Sequence, residues 1–226
     1  MAQIKKLHIS LIIIIAIISA IAGSWFYSTL QNGSRQAELI SIPPGLESIA
    51  LNRAFPLSEF SLIDHQRKIF SEKSFKGKWS FVFFGFTNCP DVCPTTLTTM
   101  QQAWKNIDKK IKAENGKQDF PKQLILVTVD PNRDTPDVLK SYVEYYHSDF
   151  IGVTGPLIEI TKLTKQLGVL YAYDNHGKTD GSYSVDHSAQ IYLIDPNANL
   201  RAIFSAPHSA DKISDNFISL TTYFNK

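Results

Sequence analysis

The 226 residues suit one domain of ordinary size with short additions, and 43% hydrophobic against 19% charged residues supplies a packed core and excludes wholesale disorder. Lys5 and Lys6 account for the whole formal net charge of +2, so the body of the chain has no basic field, and no nucleic-acid partner is expected. Two cysteines, Cys89 and Cys93, are too few for a disulfide-stapled scaffold and leave both thiols free for chemistry.

Lys5-Lys6 precedes an apolar stretch from Ile9 to about Tyr27, broken only by Ser10, Ser19, Gly23 and Ser24. Such a run, about 19 residues at roughly 1.5 Å each, just crosses a hydrocarbon core. The lysines keep the near end cytoplasmic, and Trp25, Phe26 and Tyr27 suit the outer interface. Residues 1–30 are therefore expected to be a single transmembrane anchor with the body of the chain exported. A cleaved signal peptide, with Ala20-Ile21-Ala22 as its small-residue site, is the competing expectation, and the continuous length and aromatic flank favour the retained anchor. Residues 31–53 contain Pro43-Pro44-Gly45 and no strong periodicity, which reads as a linker. The domain proper is expected over residues 54–226.

Phe60 to Ile63 and Lys68 to Phe70 flank Asp64-His65-Gln66, the pattern of a small hairpin. Lys76-Gly77-Lys78 turns into an aromatic and β-branched run, Phe81 to Phe84, which predicts a buried strand over roughly residues 80–86. A helix is expected from Pro94, with Leu97, Met100, Trp104, Ile107 and Ile111 forming one apolar stripe and Asn115-Gly116 ending it. Leu124 to Val129 predicts a second buried strand, parallel to the first through a right-handed crossover. Thr135 and Pro136 suit the N-cap and first residue of a helix carrying Val138, Leu139, Tyr142, Val143 and Tyr146. A short strand at Phe150 to Val153 and a helix through Leu157, Ile160, Leu163 and Leu167, closed by Gly168, come next. Asp174 to Asp186 is rich in Gly, Ser, Asn and Asp and reads as a long surface loop. Ala189 to Ile194 and Leu200 to Phe204 flank a turn at Asp195-Pro196-Asn197 as an antiparallel hairpin, and Ile213, Phe217, Leu220 and Phe224 mark a final helix. This order, βαβ then more helix then ββα, predicts an α/β, thioredoxin-like fold with an early hairpin and an insert.

Cys89 and Cys93 stand where the first buried strand hands over to its helix. A helix N-terminus stabilises thiolate, which both redox chemistry and metal binding require. The usual redox spacing is Cys-x-x-Cys, whereas three residues intervene here. Positions four apart on a helical turn share a face, so the sulfurs can close a redox-active disulfide or pinch one ion. Two thiolates select Cu(I) or zinc, and histidine is the usual additional ligand. His8, His65, His147, His176 and His208 fall in the anchor, turns, a helix end and the loop, where surface roles are expected. His187 differs, because it enters the strand expected to run beside the one bearing the cysteines. Asp186-His187-Ser188 also stands where thioredoxin-like reductases place a cis-proline, which disfavours general disulfide exchange. Asp130 and Asp134 are explained by turn chemistry and helix capping, and are also candidates for supporting the ligands by hydrogen bonds.

Gly85-Phe-Thr-Asn-Cys89-Pro-Asp-Val-Cys93-Pro94, Val129-Asp-Pro-Asn-Arg-Asp-Thr-Pro136 and Val185-Asp-His187-Ser-Ala-Gln-Ile-Tyr-Leu-Ile-Asp195-Pro196 together resemble the Sco/SenC family, over about Phe55 to the C-terminus. The resemblance implies a membrane-anchored copper chaperone, not an enzyme, that assists assembly of the Cu(A) centre of cytochrome c oxidase. It implies Cys89, Cys93 and His187 as ligands of one copper, Cu(I) or Cu(II), per chain. The implied partners are the copper-accepting subunit of the oxidase and a thiol reductant. The implied location is the bacterial inner membrane, single-pass, with the soluble domain on the periplasmic side. The alternative is a thiol–disulfide oxidoreductase that uses the same cysteines on a dedicated partner.

Overall fold

The structure, a computed structural model, describes residues 15–25, 41–42, 44–113, 120–174 and 183–224. The chain divides into two units, Met1–Glu38 and Leu39–Lys226. In the first, residues 15–25 form a helix, α1, whose Ile15, Ile17, Ile18 and Ile21 are exposed. The rest of the expected anchor lies outside the described residues. No helix among the described residues is long and apolar enough to cross a membrane.

The second unit holds strands β1 (Ala50–Pro56), β2 (Leu62–Asp64), β3 (Ile69–Phe70), β4 (Trp79–Gly85), β5 (Lys122–Thr128) and β6 (Phe150–Thr154), then β7 (Tyr171–Asp174), β8 (Ser184–His187), β9 (Ile191–Ile194) and β10 (Asn199–Phe204). Its helices are α2 (Val92–Ala113), α3 (Pro136–Tyr146), α4 (Leu157–Leu167) and α5 (Ala210–Phe224). Eight strands form one sheet in the order β1-β10-β9-β4-β5-β6-β2-β3, while β7 and β8 pair only with each other among the described residues. Strand β4 is central, parallel to β5 and antiparallel to β9. With the ββα close from β9 to α5, this is the thioredoxin-like arrangement that the element order anticipates.

The continuous apolar run of β4 follows from burial on both faces. All its residues are buried. Phe81 meets Phe217 of α5, with ring centroids 5.1 Å apart, whereas its near neighbour Phe84 meets Tyr192 of β9 edge-on at 5.9 Å. The hydroxyl of buried Ser80 is satisfied, since Gln123 Nε2 of β5 donates to Ser80 Oγ at 2.9 Å as well as to the Ser74 carbonyl at 3.0 Å. The α2 stripe is in the core as its spacing predicts, with Leu97, Met100, Trp104 and Ile107 buried and Ile111 partly so. Thr135 caps α3 with Pro136 at its start, and Gly168 ends α4 at φ +69°.

Four expectations need correction. The linker read over residues 31–53 gives way to structure before its end: Leu46 and Ala50 are buried, and Ala50–Pro56 pairs with β10 as an edge strand. Helix α2 begins at Val92 rather than Pro94, which puts Cys93 inside its first turn. The Asp174 to Asp186 loop has strands for its ends, β7 and β8, in register Tyr171 with His187 and Asp174 with Ser184. His65 is buried, not a surface residue, and its Nδ1 accepts the Gly152 N–H at 3.0 Å.

Candidate metal centre

Cys89 lies in the loop between β4 and α2, Cys93 in the first turn of α2, and His187 at the end of β8. Their ligand atoms all lie within 4.8 Å of one another. The His187 Nε2 is 3.3 Å from Cys93 Sγ, and the Cys93 backbone N–H donates to Cys89 Sγ at 3.4 Å. Cys93 is buried, Cys89 is half-buried, and the two are not joined by a disulfide.

The ring of His187 is fixed on both sides. Its Nδ1 donates to the Ser188 carbonyl at 3.1 Å, since a carbonyl oxygen only accepts, so Nε2 presents its lone pair to the sulfurs. Phe83 and Phe86 meet the ring edge-on at 5.9 and 5.8 Å. On the cysteine side, Gly85 leaves room for a sulfur: a Cβ there would lie 2.7 Å from Cys93 Sγ.

The two thiols titrate apart. The hydrogen bond from the Cys93 thiol, with those from the backbone N–H groups of Cys93 and Asp91, outweighs burial and lowers the Cys89 pKa to about 3. Donating that hydrogen bond pushes Cys93 up, and burial adds to it. The metal-free pair therefore carries one thiolate, on Cys89, and one proton, on Cys93. A soft cation that displaced that proton would meet two thiolates and a neutral imidazole, the donor set that suits copper or zinc and not hard ions.

Asp130 and Asp134 are not among the converging donors; Asp134 is hydrogen-bonded to the cysteine loop, and Asp130 to the residue that precedes β8. Asp134 is fully buried and accepts from Thr87 N at 3.0 Å, Thr87 Oγ1 at 2.6 Å and Thr128 Oγ1 at 2.6 Å, which pins the loop leading to Cys89. Asp130, also fully buried, accepts from Arg133 Nε and from Tyr183 Oη, the latter at 2.6 Å. His147 stacks on Phe150 at 5.2 Å and lies 5.9 Å from Trp104. His208 donates Nε2–H to the Ala189 carbonyl at 2.7 Å, and burial lowers its pKa. His8 and His176 lie outside the described residues. Sequence reasoning passed over Gly85 and Thr87 as site residues, although both stand within the motif that carries the cysteines; the glycine's place at the exit of a buried strand was the available signal.

A family model described as SCO1/SenC matches residues 51–222. The chain belongs to the SCO1/SenC family. Among its relatives in the family, a putative copper-binding protein of Stutzerimonas stutzeri is 39% identical over 163 residues, covering 72% of this chain and 76% of that protein. The structure of Arabidopsis thaliana ScoI with copper bound superposes with a TM-score of 0.64 at 32% identity, covering 72% of this chain and 95% of that one. Yeast Sco1 with copper bound gives a TM-score of 0.65 at 30% identity, covering 74% and 89%. SCO1/SenC membership thus agrees with the α/β, thioredoxin-like architecture, and solved structures similar to this chain hold copper.

Proposed function

We propose that this SCO1/SenC chain is a copper chaperone that binds one copper ion, Cu(I) or Cu(II), through Cys89 Sγ, Cys93 Sγ and His187 Nε2. The observation that carries it is the convergence of those three donors from a loop, a helix turn and a distant strand within 4.8 Å of one another. The copper-bound relatives support the choice of metal over zinc. The recipient is the copper-accepting subunit of cytochrome c oxidase, and the delivered ion enters its Cu(A) centre. Transfer proceeds by ligand exchange: the acceptor's donors replace those of this chain one at a time, and the half-buried Cys89 is the ligand an acceptor reaches first. The product is the same ion on another protein, so no catalytic turnover is involved.

The thiols must be reduced to bind, because a Cys89–Cys93 disulfide offers no thiolate. In an oxidising compartment that requires a thiol reductant as a second partner. The exposed isoleucines of α1 and the Lys5-Lys6 pair support a single-pass anchor in a bacterial inner membrane, with the copper-binding unit on the periplasmic side. The strongly lowered pKa of Cys89 favours one second reading, a thiol–disulfide oxidoreductase acting on a dedicated partner. That activity requires no metal and is indifferent to His187.

Metal content separates the two. The full chain purified under reducing conditions is expected to hold one copper, and Cys89→Ser and Cys93→Ser to lose it. Undiminished copper in either cysteine variant, together with metal-free turnover on a disulfide that His187→Ala leaves intact, would establish the oxidoreductase instead.

A further inference from the structure

Strand β8, which ends in His187, belongs to a two-stranded hairpin that shares no strand pairing with the main sheet among the described residues. An isolated hairpin is marginal by itself. Something else must hold His187 against sulfurs that the main sheet and α2 position.

The contacts converge on one turn, Val129 to Asp134, between β5 and α3. Arg133 Nη1 donates to the Tyr183 carbonyl at 3.2 Å, and its guanidinium lies 3.9 Å over the Tyr183 ring. Asp130 accepts from both Tyr183 Oη and Arg133 Nε, so the three groups close on one another. Tyr173, on the other strand of the hairpin, donates Oη–H to the Val129 carbonyl at 2.5 Å and meets Tyr183 edge-on at 5.6 Å. The same guanidinium lies 5.8 Å from the ring of Phe86, which in turn packs on His187. At the far end of this turn, Asp134 holds Thr87 in the cysteine loop. One turn therefore touches both halves of the metal centre. Among the described residues, Arg133 Nη2 is buried without a hydrogen-bond partner, a cost to stability that suits a residue placed for position.

We infer that Arg133 and Tyr183 form a clasp that positions His187 on the sulfur pair, and so sets how firmly the chain retains its metal. The inference rests on the copper site proposed above. Neither residue touches the metal; both are positioning residues.

The test uses the full chain with Tyr183→Phe, which removes one hydroxyl and keeps the ring, and Arg133→Met. Copper loss to an excess of a Cu(I) chelator is expected to accelerate about tenfold in each, the scale seen when groups supporting a metal ligand are removed. Adding either substitution to His187→Ala is expected to change nothing further, because the clasp acts through His187. Unchanged rates in both single variants, or effects that persist in full in the His187→Ala background, would overturn the clasp. In the metal-free protein, the ring resonances of His187, held between Phe83 and Phe86, are expected to move toward free-histidine positions in both variants. Resonances that stay put overturn the clasp whether or not copper binds. Resonances that move in a protein that never retains copper uphold the clasp and overturn the copper site alone.

Discussion

Gly85 and Cys93 share one space: the Cβ that any other residue would bring to position 85 lies 2.7 Å from the Cys93 sulfur and 3.1 Å from the Phe83 ring. The place of the sulfur against β4 therefore depends on the absence of a methyl group at position 85. Gly85→Ala is expected to move Cys93 Sγ off its line with His187 and weaken Cu(I) binding about tenfold, on the scale of lost metal-ligand support. A competition titration against a Cu(I) chelator reads this directly, and unchanged affinity would show that the sulfur tolerates displacement.

Asp134 is buried with three donors aimed at it, and burial raises its pKa against the hydrogen bonds of Thr128 and Thr87. Asp134→Ala strands the Thr87 N–H, which costs about 1–3 kcal/mol for an unsatisfied buried group. Urea unfolding of the metal-free protein is expected to show that loss, with Asp134→Asn, which keeps an acceptor, losing less. Equal stability of all three proteins would mean that water satisfies Thr87.

The thiol pair makes a pH prediction with a definite sign. The pKa of Cys89 is lowered from its ordinary 9.0 to about 3, so between these values the unfolded chain holds a proton that the folded one lacks. Its contribution to stability is complete above 9.0, shrinks as pH falls, and is gone once pH passes below the folded value. Cys93 runs the other way: its raised pKa contributes below 9.0 and the contribution declines as pH rises beyond it. The stability difference between the wild type and Cys89→Ser in metal-free, reduced protein is therefore expected to grow from about pH 5 to about pH 8. Alkylation of Cys89 should be nearly flat over the same interval, where that of an ordinary thiol rises steeply with pH. Copper binding near neutral pH should release close to one proton, from Cys93.

The three side chains that converge were legible in the sequence because their signals are local or periodic. Cys89 and Cys93 lie four positions apart, the α2 stripe has helical spacing, and His187 lies four residues before the apolar run that opens β9. What was missed depends on pairing at a distance. Strand β1 buries only Ala50 fully and alternates poorly, so nothing distinguishes it from a linker until β10 lies beside it. Strands β7 and β8 are short, with polar residues at their adjoining ends, and Tyr171 finds His187 only after the chain doubles back. The buried His65 accepts from the Gly152 N–H, a partner far along the chain that no local pattern announces. Asp134 reads as a capping residue from its neighbours; its role on Thr87 appears only in three dimensions.

The central claim is that two sulfurs and one imidazole nitrogen hold the metal. X-ray absorption at the copper edge on the Cu(I)-loaded full chain tests it most directly. The expected first shell contains two sulfur donors and one nitrogen donor, and the nitrogen disappears in His187→Ala while both sulfurs stay. A shell without sulfur, or one that keeps its nitrogen in His187→Ala, would contradict it.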